Sequence, residues 1–190
     1  MRDPCRGSKF YRPTGSVLAP SRTVLFRTTR SRVTDQSLKM NISKVRKYQP
    51  SDLNEVARLF NDYRVFYEQN SDIDLATRFI SNRMKNSESV IFVADAGDGT
   101  LAGLCQLYPT FCSVAAEPIY ILYDLFVSPN ARRAGIAKQL LQAAIGQGRA
   151  DGKARVDLTT ARQNFSAQAL YESLGWKRDD IFYTYSLSIR

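Results

Sequence analysis

The sequence predicts one mixed α/β (α+β) domain of ordinary size behind a basic tail, and three observations carry that prediction. Apolar residues recur at helical spacing between residues 53 and 84; the period falls to two over residues 90–108; and residues 119–148 run from an apolar strand through a short turn into an amphipathic helix. A chain of 190 residues can bury a full core without needing a second domain.

Taken in order, residues 42–48 alternate Ile42 and Val45 with Lys and Arg, as a half-exposed first strand does, and Pro50 and Ser51 stop it. Ser51, followed by Asn54 and Glu55, is the expected cap of a helix carrying Leu53, Val56, Leu59, Phe60, Tyr63 and Tyr67 at helical spacing. Its aromatic end, Tyr63, Phe66 and Tyr67, reads as core rather than as substrate contact. A second helix over residues 74–85 is expected to bury Leu75, Phe79, Ile80 and Met84 and to leave Arg78 and Arg83 outside. Residues 90–96 and 101–108 form a hairpin about Gly97-Asp98-Gly99, ended by Pro109, and residues 110–117 suit either a strand extension or a loop.

Residues 119–127 are apolar on both faces, as a central strand should be, with Asp124 as the exception. A carboxylate there is costly to bury unless it is paired or functional. The following helix places Ile136, Leu140, Leu141, Ala144 and Ile145 on one face. A strand over residues 155–160, a helix over 165–174 closed by Gly175, and a last alternating strand over 182–189 complete the domain.

Composition narrows the chemistry. The chain has no histidine, which removes Ser-His-Asp and Cys-His catalysis and histidine-based zinc sites, so any acid or base is Asp, Glu, Tyr, Lys, Cys or water. The cysteines, Cys5, Cys105 and Cys112, show neither a disulfide framework nor metal-ligand spacing, and no metal is expected. No apolar run is long enough to span a bilayer, and a soluble, cytoplasmic protein with no membrane partner is expected. The net charge of +9 lies mostly in residues 1–39, where nine Lys or Arg face two Asp. The remainder is nearly balanced, which argues against a nucleic-acid partner for the domain.

Residues 1–39 are rich in Arg, Ser and Thr and are expected to be disordered. An Arg-rich organelle transit peptide (which would make the protein mitochondrial), a basic arm for nucleic acid, or residues upstream of a true start at Met40 all fit this composition. The patterned domain is assigned to residues 40–190.

The turn between strand and helix invites an anion. The first turn of a helix leaves backbone N–H groups unpaired at the positive end of its dipole, and phosphates bind there readily. Arg132 and Arg133 add charge, while Ala134, Gly135 and Ala137 keep side chains small enough for a pyrophosphate to approach the backbone. An ordinary connection with a solvated Arg pair fits the same local pattern.

Two motifs in succession point further. Arg132-Arg133-Ala134-Gly135-Ile136-Ala137 reads as R-x-x-G-x-A, and Asn164, Ala167, Leu170, Tyr171, Gly175 and Trp176 read as N-x-x-A-x-x-L-Y-x-x-x-G-W. With these motifs the region from Ile42 to Ile189 resembles the GNAT superfamily of acyl-CoA-dependent N-acyltransferases. It departs from the family pattern at Ala137, where glycine is usual, and at Arg133, where many members have glycine and the loop backbone is expected to be stiffer.

The resemblance implies a GNAT fold, a central mixed, mostly antiparallel sheet flanked by helices and split between strands 4 and 5. It implies acetyl-CoA as co-substrate, with pyrophosphate held by the amides of Arg133, Ala134, Gly135, Ile136, Ala137 and Lys138 beside Arg132. The pantetheine arm would run along the main chain of Leu125, Phe126 and Val127, with Asn164 bonding it or simply capping its helix. Tyr171 matches the family's general acid; a phenol giving its proton to a thiolate goes uphill by only ~2 kcal/mol. The acceptor, a small-molecule or protein amine, must lose a proton, and Asp124 is the candidate to receive it, with pairing to a structural Arg as the alternative. Tyr123 is a weaker candidate for lining the acceptor site. Dimers are common in the family, and a homodimer stays open here.

Overall fold

The computed structural model describes residues 44–189. The tail over residues 1–39 and the domain boundary expected at residue 40 lie outside the described residues. Five strands, β1 (Lys44–Lys47), β2 (Val90–Asp95), β3 (Leu101–Cys112), β4 (Glu117–Val127) and β5 (Val156–Leu158), form one sheet in that order. Every pairing is antiparallel except β4 with β5, which is parallel, so the sheet is mixed and mostly antiparallel as expected.

Helices α1 (Leu53–Phe66) and α2 (Ile73–Lys85) cover one face, and α3 (Ile136–Ala150) covers the other. Val56, Leu59, Phe60, Ala76 and Ile80 pack there on Ile91, Val93, Leu104 and Phe126. On the opposite face Ile136, Leu140, Leu141 and Ala144 pack on Phe92, Cys105, Leu107, Tyr120 and Leu122. Helix α4 (Phe165–Ser173) joins that second cluster through Leu170 and Tyr171.

Several local expectations are corrected. Ser51 does not cap α1: it lies within a 3-10 turn over Pro50–Asp52, whose Asp52 carboxylate accepts from the Gln49 N–H at 2.7 Å. That carboxylate also holds Arg46 at 2.7 Å, and an ion-paired acid makes the stronger stop. Leu75 is exposed, because the Asp72 side chain caps α2 at the Leu75 N–H and turns Ala76 and Ile80, not Leu75, toward the core. Pro109 does not end β3, which runs on to Cys112 and pairs Thr110 with Ile119 and Cys112 with Glu117. The β2 ladder has already stopped at Val90 opposite Leu107, so the missing N–H of Pro109 falls where β3 has become an edge.

Residues 182–189 form no strand. Period-two alternation favours extended backbone, but a strand also needs a ladder partner, which sequence spacing cannot supply. The segment leaves its apolar side chains exposed, and Asp179 takes the Ile181 and Phe182 N–H groups at 2.8 and 3.1 Å. Gly175 behaves as expected: at φ +94° it closes α4, with Gly175 N–H bonding Glu172 O and Trp176 N–H bonding Tyr171 O.

Two features of β4 position the candidate site. Its register with β3 pairs Gln106 with Asp124 and Leu107 with Leu122, leaving Tyr123 as an extra residue in a bulge. The bulge reverses the alternation, so Leu122 faces α3 while Asp124 and Phe126 face α1. In addition, β5 pairs β4 only from Tyr120 to Leu122, and the two strands part beyond that point.

The approach of β3 to the far end of β4 is tight. A methyl group on Gly103 would meet the Phe126 carbonyl at 2.7 Å, so Gly103→Ala is expected to lower unfolding free energy by about 1–3 kcal/mol, measured by urea denaturation. An unchanged midpoint would contradict this packing.

Candidate active site

At the mouth of the opening between β4 and β5, the chain leaves Val127 through a 3-10 turn at Pro129–Ala131 and enters α3. Gly135 takes φ +79° to make the entry, a conformation that favours glycine, and no heavy atom lies within 4 Å of where its Cβ would be. Arg133 adopts φ +65° without being glycine, so its departure from the family pattern carries local backbone strain.

No side chain caps α3, and the first backbone bond into it runs from Gln139 N–H to Gly135 O at 3.1 Å. The amides of Ile136, Ala137 and Lys138 therefore point out of the helix end with the positive pole of the dipole behind them. They border a cavity of about 230 Å³ lined by Val127, Arg132, Arg133, Gly135, Ala137, Lys138 and Leu170. Ile136 is buried and anchors the helix, while Ala134 is exposed on the loop. Arg132 donates from Nε to the Val127 carbonyl at 3.1 Å and lies over the rings of Phe66 and Phe126 at 5.7 and 6.0 Å. These features suit a diphosphate.

Leu125, Phe126 and Val127 lie beyond the last β4–β5 pair, so their main chain borders the opening on the β5 side. Phe126 is buried against α1 and α2, which leaves Leu125 and Val127 packed toward α3. Asn164 is the N-cap of α4: its Oδ1 accepts from the Ala167 N–H at 3.3 Å, and its Nδ2 lies 3.4 Å from the Thr160 hydroxyl.

The bulge brings Asp124 under α1. It is 5% exposed and enters no ion pair among the described residues, so the alternative of a structural Arg partner is not what the fold shows. Burial pushes its carboxyl up to about 7, partly offset by hydrogen bonding from Tyr63. The Tyr63 hydroxyl also lies 3.4 Å from the Tyr123 carbonyl. Burial and the Asp124 charge push Tyr63, Tyr67 and Tyr108 upward, which keeps all three hydroxyls protonated near neutral pH.

Tyr171 faces the same cluster from α4. Its hydroxyl is raised first by burial and then by Tyr67, while a hydrogen bond with Thr160 lowers it. The Trp176 ring lies 6.1 Å from that of Tyr171, tilted by 60°, and Trp176 donates from Nε1 to the Val156 carbonyl at 3.0 Å, which ties the end of α4 to β5. The fold thus brings Asp124 and Tyr171, 47 residues apart in the chain, to one group of tyrosines.

Sequence reasoning undervalued this group. Tyr63, Phe66 and Tyr67 read as core, yet Phe66 and Tyr67 are exposed and Tyr63 is half-buried. Gln106 was missed, although a lone amide within the apolar run from Leu101 to Leu107 is a readable signal of the kind Asp124 gave. Cys105 is fully buried, and its thiol is pushed far up by burial, so it packs as a neutral side chain. Cys112 sits at the remote end of the β3–β4 hairpin, where backbone amides and Arg155 pull its thiol downward. Among the described residues no helix is long and apolar enough to cross a membrane.

Comparison with known proteins agrees with this geometry. The chain is 43% identical over 145 residues to an uncharacterized N-acetyltransferase, YhfO, of Bacillus subtilis, covering 76% of this chain and 97% of that one. It is 25% identical over 143 residues to the D-amino-acid N-acetyltransferase HPA3 of Saccharomyces cerevisiae, covering 73% of this chain and 88% of that one. The crystal structure of a probable acetyltransferase superposes with a TM-score of 0.72 at 35% identity, covering 77% of this chain and 98% of the other. Residues 53–176 match the model of the acetyltransferase (GNAT) family, a span running from the start of α1 through both motifs to Trp176, and the chain belongs to that family.

Proposed function

We propose that the protein is a cytoplasmic N-acetyltransferase that moves an acetyl group from acetyl-CoA to a primary amine by direct attack in a ternary complex. What supports this reading is one juxtaposition: Asp124, which enters no ion pair among the described residues, and the Tyr171 hydroxyl both reach Tyr67, while Leu170, next to Tyr171, lines the cavity at the uncapped head of α3. The diphosphate of acetyl-CoA would sit on the amides from Arg133 to Lys138, with Arg132 adding charge. Its pantetheine arm would follow Leu125, Phe126 and Val127, with Asn164 at the head of α4 bonding the arm or holding that helix in place. Bound this way, acetyl-CoA supplies an activated thioester carbonyl.

The residues then divide the proton work. An amine with pKa about 10.4 arrives protonated, and Asp124, raised toward neutrality by burial, accepts its proton directly or through water. The amine nitrogen bonds to the carbonyl carbon, and the carbon–sulfur bond breaks. Tyr171 gives its proton to the departing thiolate and is reprotonated by the second proton lost from the amine nitrogen, directly or through water, so free CoA thiol and a neutral N-acetyl amide leave. Burial keeps Tyr171 protonated until that moment.

Acetyl-CoA with a panel of primary amines, followed by thiol release, tests the reading. Binding of acetyl-CoA without turnover of any amine would reassign the protein as a sensor. Tyr171→Phe is expected to lower kcat by roughly 10²–10⁴-fold with the affinity for CoA unaltered by calorimetry. Gly135→Val forces a β-branched residue to φ +79°, and at least a tenfold loss of CoA affinity is expected; equal affinity would remove the α3 cradle from the account.

The pH dependence follows from Asp124. As a base it works when ionised, so kcat should fall as pH drops through about 7, and Asp124→Asn should remove that limb along with most of the rate. Its folded-state pKa lies above the ordinary value near 4, so the folded chain holds the proton more tightly and this group lowers stability as pH rises through that window. Thermal melts should therefore find Asp124→Asn more stable than the wild type above pH 7, with the gain vanishing near pH 4. A constant difference across that range would refute burial of the charge as its cause.

A further inference from the structure

We propose that the acceptor is a primary amine carrying one positive charge on an apolar, ring-sized body, its ammonium received by Asp124 and Gln106 and its body by Tyr67, Tyr108 and Tyr123. This narrows the amine-acetyltransferase reading above and rests on it.

The charge count comes from what surrounds the site. Asp124 is the carboxylate felt by Tyr63, Tyr67 and Tyr108, and the cation that reaches Tyr108 is Arg83. Arg132 lies over Phe66 on the other side. A second ammonium on a polyamine would thus meet Arg132 at one rim, and at the other it would find Glu88 already engaged by Arg83. A substrate α-carboxylate is disfavoured as well. It would lie within a few bond lengths of the ammonium, against Asp124, and no Arg or Lys among the described residues comes within ion-pair reach of Asp124 to offset the repulsion.

Gln106 is an independent observation pointing the same way. It is 0% exposed, and its Nε2 donates to the Ser89 hydroxyl at 2.7 Å, yet its Oε1 is buried with no hydrogen-bond partner. It pairs with Asp124 across the β3–β4 ladder, and because of the bulge both belong to the face beneath α1 and α2. An orphaned buried acceptor is costly, and an ammonium held by Asp124 has further N–H groups to offer it.

The body of the substrate is specified by the rings. Tyr123, thrown outward by the bulge, meets Tyr108 edge-on at 5.8 Å, and Tyr67 meets both Tyr63 and Phe66 edge-on. Such walls favour an apolar or aromatic body and add cation–π attraction for a single ammonium.

The test compares 2-phenylethylamine, spermidine and phenylalanine (both enantiomers) as acceptors for the full chain with acetyl-CoA. At least tenfold higher kcat/KM for 2-phenylethylamine than for either of the others is expected. Tyr67→Ala should raise its KM at least fivefold with kcat nearly constant and CoA affinity unchanged by calorimetry, and Tyr67→Phe should restore the KM. Gln106→Leu should raise KM for the amine without altering the urea midpoint downward. Equal or better use of spermidine or phenylalanine, or a KM indifferent to Tyr67→Ala in a folded variant, overturns the inference while leaving the acetyltransferase reading intact. Bound acetyl-CoA with no amine turned over would instead sink that underlying reading.

Discussion

The extra residue at Tyr123 is the constraint on which the rest of the candidate site depends. Without it, residues 122 and 124 would share a face, and Asp124 would point with Leu122 into the packed layer beneath α3. With it, Leu122 stays in that core while Asp124 is delivered to the face under α1, where it meets the tyrosines. The bulge also marks where β4 parts from β5, because a locally bent strand cannot keep a parallel partner in register. One inserted residue therefore opens the sheet and supplies a carboxylate to the opening.

The energetics of the site run against stability. A buried carboxylate without a counter-charge, a fully buried amide oxygen without a donor, and a non-glycine residue at φ +65° each oppose folding. Asp124 and Gln106 pair across the β3–β4 ladder and Arg133 lies in the loop that follows β4, while acids elsewhere are well paired: Arg46 bridges Asp52 and Asp95, and Arg58 bridges Glu55 and Asp62. A buried amide oxygen left without a donor opposite a carboxylate without a counter-charge is the pattern expected where a substrate completes the bonding.

The two halves of the proposed chemistry are held by different devices. The cofactor side is made of backbone: amides at the head of α3 and the free main chain of β4, both fixed by apolar anchors such as Ile136 and Phe126. The acceptor side is made of side chains drawn from α1, β3, β4 and α4. Backbone geometry is shared readily among relatives of low identity, whereas side-chain walls are particular to each chain, so family membership leaves the acceptor open.

The residues alone determined the order of elements as far as α4, the hairpin, and the strand-turn-helix entry into α3, because each rests on local periodicity or on contiguous spacing along the chain. Asp124 stood out for the same reason, as a charge within an apolar run. Only the tertiary structure decided which face Asp124 takes, that no Arg among the described residues pairs with it, that Gln106 lies opposite, and that Phe66 and Tyr67 reach the surface. Those facts depend on a bulge and on ladder register, which are properties of two strands together and leave no period in either one. The unpaired stretch over residues 182–189 teaches the same lesson in reverse: alternation specifies an extended backbone, but a strand exists only where another strand's hydrogen-bonding groups meet it.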